Sequence, residues 1–499
     1  MSVMKIVETT SGSVQGRHQD GIFDFRGIPY AAPPVGPLRF RPPQPLERWT
    51  GVRDATRFGP VAPQNQGAME RLFGAPTQNI DEDCLTLNVW TPACDDGKRP
   101  VMVWIHGGAF LYGTGATPWY DGHGFAREGV VLVTINYRLG AFGFLHVDGQ
   151  GNNGILDQVA ALEWVRDNIA AFGGDPGNVT VFGESAGAMS VGTLLGLPAA
   201  KGLFVKAIAE SGAAHSARPA DLSAELAGTF LAELGVDPGP GAVDRLRDIP
   251  MQTLLDAQAK VVEREMGSGG RGMPFAPVVD GVVLPESPFD AIGNGQAAGV
   301  SVLIGTTRDE WRLFTLLDPS LSKLDDQGAA RRLGRLVRDP ARAPDVIAHY
   351  RSTRPETNVS DLWSEVATDV IFRMPAIRLA ETQSALGNDV FMYRFDYATP
   401  VFGGALGACH ALEIPFVFEM LDAGAEMFVG PLSDDLRTLA RRMHESWAAF
   451  ARAGRPAADG LPEWPRYTDE RRATMLFDLE PSLVDDPGGD DRAVWAGVL

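Results

Sequence analysis

The segment Asn178-Val-Thr-Val-Phe-Gly-Glu-Ser-Ala-Gly-Ala-Met189 has the residue types and order of an activated serine. A short β-branched and aromatic run enters Gly183-Glu184-Ser185-Ala186-Gly187, and small, apolar residues that can start a helix come next. A strand that runs straight into a helix needs a sharp turn, which lifts the residue at its apex, Ser185, clear of the backbone. Gly183 and Gly187 give the room, because a side chain at either place would collide with the neighbouring strand or helix. The turn also aims the amide of Ala186 at the point where an oxyanion would form. The pattern is short and the chain holds 57 Gly in 499 residues, so its chemical partners have to be found elsewhere in the sequence.

A serine hydroxyl is a poor nucleophile at neutral pH. It needs a base, almost always His, a carboxylate to orient that base, and amide donors for the oxyanion. In strand–turn–helix hydrolases these follow the order Ser, acid, His. The donors come from Trp104-Ile-His-Gly-Gly-Ala-Phe110, an apolar strand leaving into a glycine pair. Gly107 and Gly108 let backbone amides face a cavity, and Ala186 is the third donor. Of the eight histidines, His18, His106, His123 and His146 precede Ser185, and His215 follows it too closely for an acid strand between. His349 lies in a helical stretch and His444 on an amphipathic helix. His410 sits in Gly407-Ala-Cys-His-Ala-Leu-Glu-Ile-Pro415, a loop after the Val390 strand, where open α/β sheets place their sites. For the acid, Ser301–Glu310 is a strand leaving into a polar loop, where Asp309 and Glu310 both qualify and spacing does not choose.

The elements that must position these groups alternate. Val101–Ile105 and Val130–Ile135 are nearly unbroken apolar runs, the pattern of strands buried on both faces. Ile155, Val159, Leu162, Val165 and Ile169 have helical spacing, ended by Gly173-Gly-Asp-Pro176. Further apolar runs at 205–209, 300–304 and 390–395 continue the alternation, which means a mostly parallel sheet covered by helices. Residues 4–30 read as hairpins, and 216–299 and 316–388 as helical insertions that form a lid or the walls of a gorge. Leu436, Leu439, Ala440, Met443, Trp447 and Phe450 mark an amphipathic helix from Ser433 to near Gly454. No linker splits the chain, so residues 1–499 read as one domain.

A net charge of -19 argues against nucleic acid and anionic membrane surfaces as partners, since both would be repelled. No stretch approaches the ~20 apolar residues of a membrane span, and residues 1–12 lack a signal-peptide core. Cys84, Cys94 and Cys409 are an odd set at irregular spacing, not a disulfide framework, although a fold that brought Cys84 to Cys94 would let them pair. The expectation is a cytoplasmic enzyme needing no metal or organic cofactor.

These residues resemble the type-B carboxylesterase family, which includes the cholinesterases. Glu82-Asp-Cys-Leu-Thr-Leu-Asn-Val-Trp90 is similar to the family's second signature. Phe25–Tyr30, Pro33–Phe40, Thr134–Gly140, Gly151–Gln158 and Phe172–Pro176 match in the family's order, so the likeness covers nearly the whole chain. It implies an α/β-hydrolase fold and hydrolysis of small-molecule carboxylic esters through an acyl-enzyme. It places the catalytic acid on Glu310, the base on His410, the oxyanion donors on Gly107, Gly108 and Ala186, and a serine near the triad on Ser211. Carbamates and activated amides are alternative substrates for the same machinery, and a non-catalytic binding module is the remote alternative. Trp311 departs from the glycine that commonly follows the acid. The segment between Gly67 and Asp83 lacks the tryptophan with which cholinesterases bind choline, so a choline ester is not the expected substrate. Phe110, Leu111, Trp311 and Phe314 adjoin these positions and are the expected apolar pocket.

Overall fold

The computed structural model describes residues 3–65, 79–267 and 272–499. The segment between Gly67 and Asp83 therefore lies mostly outside the described residues. Strands β1 (Val3–Thr9), β2 (Gly12–Gln19) and β3 (Ile22–Pro29) form the expected hairpins, with β4 (Val52–Asp54) paired beside β2. The sheet continues with β5 (Thr86–Thr91), β6 (Arg99–Ile105), β7 (Val131–Ile135), β8 (Gly174–Glu184) and β9 (Lys206–Glu210). After the short strands β10 (Arg218–Pro219) and β11 (Val278–Val279) come β12 (Ser301–Thr307), β13 (Val390–Phe395), β14 (Ala473–Phe477) and β15 (Ser482–Asp485). The spatial order is β1-β2-β3-β5-β7-β6-β8-β9-β12-β13-β14-β15. From β7 to β14 neighbouring strands are parallel, and antiparallel strands extend the sheet at both edges.

The apolar runs sit at its centre, with every residue of β7 and the last five of β6 buried. Helix α1 (Asn153–Asn168) and the turn after it end at Gly173, whose φ of 80° is left-handed. Helix α2 (Ala186–Gly196) is buried along its whole length. The insertions hold helices at Ala220–Glu233, Met251–Gly267, Asp326–Leu333, Ala343–Thr353, α3 (Val359–Thr368) and α4 (Met374–Ala385). Two features differ from a purely helical lid. The parallel pair β10–β11 ties the start of the first insertion to residues 278–279 further along it. Helix α4 packs on β12 and β13 through a buried face that includes Ile377, Leu379 and Ala380, so it covers the sheet. Helix α5 (Asp434–Ala453) begins at Ser433, whose side chain accepts the Leu436 amide, and stops at left-handed Gly454.

Two sequence signatures are structural ion pairs. Arg39 grips Glu82 and also donates to the carbonyls of Arg247 and Ile249 (2.7 and 2.6 Å), pinning the first insertion to the N-terminal segment. Arg138 donates from Nε and Nη2 to the two oxygens of Asp157 on α1 (2.8 and 2.7 Å) and from Nη1 to the Arg41 carbonyl (2.6 Å). Asp157 also accepts the Arg138 amide, and both side chains are buried. A buried pair that loses one charge leaves the other uncompensated, at a cost of about 3–5 kcal/mol. Asp157→Asn is expected to lower unfolding free energy by about that amount in urea melts. A loss below ~1 kcal/mol would mean that the pair is not a stabilising anchor.

Candidate active site

The end of β8 is held against the end of β6. A Cβ on Gly183 would lie 2.5 Å from the Ile105 carbonyl oxygen, and one on Gly187 only 2.0 Å from it. Between them Ser185 takes φ 56° and ψ -124°, a strained turn costing about 1–3 kcal/mol. Its amide donates to the Glu210 carbonyl at the end of β9 (2.9 Å), and its own carbonyl accepts from Met189 (2.9 Å). The turn is thus locked from both sides, while Oγ has no hydrogen-bond partner among the described residues.

β6 continues into a left-handed loop beside Ser185. A Cβ on Gly107 would fall 3.1 Å from the Ser185 Cβ. Gly108 has φ +108°, and a Cβ there would lie 2.2 Å from the Tyr112 carbonyl. Ala109 and Phe110 come after it with φ of 55° and 58°. Among the described residues, the amides of Gly107, Gly108 and Ala109 donate no hydrogen bond. Ala186 opens α2, where first-turn amides lack intrahelical acceptors. Ala109, directly after the glycine pair, also presents a backbone amide on this loop. Phe110 and Leu111 come at the end of this left-handed run. Phe110 is fully buried with its ring 5.0 Å from Phe144, and Leu111 is buried in the same core cluster.

His410 and Glu310 meet across 100 residues of sequence, with Nδ1 2.6 Å from Glu310 Oε2. Glu310 is fully buried and its Oε1 accepts the Thr307 amide (2.8 Å). Asp309 turns the other way, to Arg308 (2.9 Å) and the Ala408 amide (2.8 Å). The far side of the imidazole, Nε2, lies 3.1 Å from Oε1 of Glu184, the residue preceding Ser185. Apart from His410, the histidines near these elements are engaged elsewhere. His106 contacts the Gly107 carbonyl (2.9 Å) and is pushed down to about 4 by burial, hence neutral at pH 7. His444 contacts the Val417 carbonyl, and His349 pairs with Asp491.

Beneath the imidazole lie more carboxyl groups than the sequence reading assigned. Glu184, Glu210, Glu310 and Glu413 are all buried, and among the described residues no lysine or arginine pairs with any of them. Ser211 Oγ donates to Glu413 (3.1 Å) and Trp447 Nε1 to Glu210 (2.8 Å). Burial, then the Glu310 charge, holds Glu184 well above the usual carboxyl range; burial, then Glu184, does the same to Glu413. Burial pushes Glu210 up to about 8, with the Trp447 hydrogen bond pulling the other way. Two of these acids adjoin a residue singled out in the sequence, Glu184 before Ser185 and Glu210 before Ser211, and Glu413 lies three residues after His410.

Trp311 and Phe314 stand at the mouth of this group, and the Phe314 ring lies 5.2 Å from His410. Phe372, unnoticed in the sequence, is closer at 4.8 Å. The hollow lined by Thr306, Arg373, Tyr467 and Arg472 holds about 20 Å³, enough for one water and far too small for an ester.

Residues 3–494 match the family model described as the carboxylesterase family. The chain is 41% identical over 499 residues to the para-nitrobenzyl esterase of Bacillus subtilis, covering 98% of each chain. It is 38% identical to the phenmedipham hydrolase of Pseudarthrobacter oxydans, covering 97% of each. A Geobacillus stearothermophilus carboxylesterase structure superposes with a TM-score of 0.88 at 45% identity, covering 98% of this chain and 99% of the other.

Glu210 supplies a pH test. Folded, it keeps its proton up to about pH 8; the ordinary value, which applies to the unfolded chain, is 4.5. Between those values the folded state holds more protons, so stability falls as pH rises. Glu210→Gln keeps an acceptor for Trp447 and removes that titration. Its urea midpoint is expected to fall less between pH 5 and pH 8.5 than the wild-type midpoint does; equal falls would acquit Glu210.

Proposed function

The chain belongs to the carboxylesterase family, and on that premise we propose that Ser185, Glu310 and His410 are its catalytic triad. The reaction is hydrolysis of a carboxylic ester to acid and alcohol. The observation that carries the residue assignment is the buried Glu310–His410 contact of 2.6 Å, with the far side of the imidazole 3.1 Å from Glu184, the residue before the strained turn at Ser185. His410 takes the Ser185 proton as Oγ attacks the ester carbonyl. The tetrahedral oxyanion is held by amides from Gly107, Gly108 and Ala186, with Ala109 a further donor on the same loop. His410 then protonates the leaving alcohol, and a water activated by the same imidazole releases the acid. Glu310 fixes the tautomer and stabilises the imidazolium without taking the proton. A hydrogen bond from the Ser185 hydroxyl to His410 is one that tightens when substrate binds.

Ser211 supports the site through Glu413 and does not touch the reacting atoms. Trp311 and Phe314 make the pocket apolar, which favours acyl and aryl groups over charged ones. The unbroken sheet supports reading residues 1–499 as one catalytic domain with insertions. No described helix is long and apolar enough to cross a membrane. The three free thiols, two of them buried, fit a reducing compartment such as the cytoplasm.

The test is hydrolysis of p-nitrophenyl esters from acetate to decanoate. Ser185→Ala and His410→Ala are expected to lower kcat about 10⁴–10⁶-fold, and Glu310→Gln about 10⁴-fold. Melting curves must show each variant folded. A folded Ser185→Ala enzyme with wild-type turnover would remove Ser185 from the mechanism, and an unaffected Asp309→Asn beside a disabled Glu310→Gln would separate the two acids.

A further inference from the structure

We infer that Phe372 is a specificity-determining residue of this site, selecting esters with an aromatic ring next to the ester group. The inference rests on the triad reading above. Phe372 is placed by a π-turn, Asp369–Arg373, between α3 and α4. A π-turn inserts one residue into a helix, so the next helical segment is rotated by about 100° relative to a regular helix. Its ends are fastened. The Tyr350 hydroxyl donates to Asp369, Arg373 pairs with Asp369 (3.5 Å) and also donates to the Pro487 carbonyl. The residue before the turn, Thr368, accepts the amide of Trp311 at its Oγ1 (3.0 Å). The backbone of Ile371 meets the imidazole of His215, which burial pushes down to about 4 and keeps neutral.

The turn brings the Phe372 ring to 4.8 Å from His410 at 40°. Phe314 stands 5.2 Å from the same imidazole at 45°, and the two phenyl planes are parallel within 11° at 6.4 Å. Trp311 joins them, 4.6 Å from Phe314 and 6.3 Å from Phe372. The result is an aromatic wall, backed by a fixed turn, against the base that an ester must approach. An aliphatic group gains only burial there. An aromatic ring also gains edge and offset contacts, enough for roughly a three- to ten-fold preference.

The experiment compares kcat/KM for benzyl acetate with hexyl acetate, and for ethyl phenylacetate with ethyl hexanoate, in a pH-stat. Wild type is set beside Phe372→Leu, which keeps apolar bulk, and Phe372→Met as a second variant should leucine not fold. The aromatic-to-aliphatic ratio is expected to fall about three- to ten-fold in at least one pair, and the responding pair assigns the wall to the alcohol or the acyl side. Unchanged ratios in both pairs, or equal falls of both members of each pair, overturn the proposal. Ser185→Ala, measured alongside, keeps the two readings apart. If it is silent on all four esters while the ratios stay fixed, only the Phe372 assignment fails; if it is active, the triad reading fails first.

Discussion

One carbonyl oxygen, that of Ile105, constrains the whole site. It lies where a Cβ of either Gly183 or Gly187 would be, so β8 and α2 can close on β6 only through bare backbone. The parallel register that pairs Ile105 with Gly183 also pairs Glu184 with Glu210 on the next strand, and there the Glu210 carbonyl takes the Ser185 amide. Contact of three strand ends therefore holds Ser185 in a conformation that a lone chain would abandon. The same contact sets Gly107, two residues past Ile105, against the Ser185 Cβ. The turn and the donor loop are thus two consequences of one close approach.

The next constraint is electrostatic. Taking an ionised carboxylate out of water costs several kcal/mol unless an opposite charge or good donors meet it. The chain solves this in two ways. Asp157 and Glu82 are buried at structural joints, and each is met by an arginine. The carboxyl groups around His410 have no such partner among the described residues; they have a tryptophan N–H, a serine hydroxyl and a backbone amide. Neutral carboxyl groups are cheaper there than charges, which is the direction in which burial pushes Glu184, Glu210 and Glu413.

The sequence was informative wherever chemistry and backbone conformation coincide. A strand, a glycine-flanked serine and a helix can close only one way, and chain order with the loop after the Val390 strand points to His410 among the histidines. Asp309 and Glu310 were inseparable by spacing because both leave the same strand; only the resemblance distinguished them. In the structure one faces Arg308 and the other His410. Phe110 and Leu111 lie at a left-handed run, and adjacency in sequence does not give the direction of side chains there. Phe372 was invisible for a related reason. A π-turn has no residue signature, and its ring is returned to the site by helices that begin well away from the motifs.

The absence of a described arginine or lysine pair around His410 has a mechanistic consequence. In the proposed cycle the imidazole becomes a cation each time a tetrahedral intermediate forms. It does so between Glu310 on Nδ1 and Glu184 near Nε2, in a buried setting where a charge acts far more strongly than in water. An arginine beside these acids would satisfy them in the resting protein and repel the imidazolium in the transition state. Leaving them without one costs folding stability, and the upward push that burial gives Glu184, Glu210 and Glu413 reduces that cost. In that cycle Glu310 on Nδ1 meets a cation that exists only while the reaction is under way, which is the differential binding that lowers a barrier.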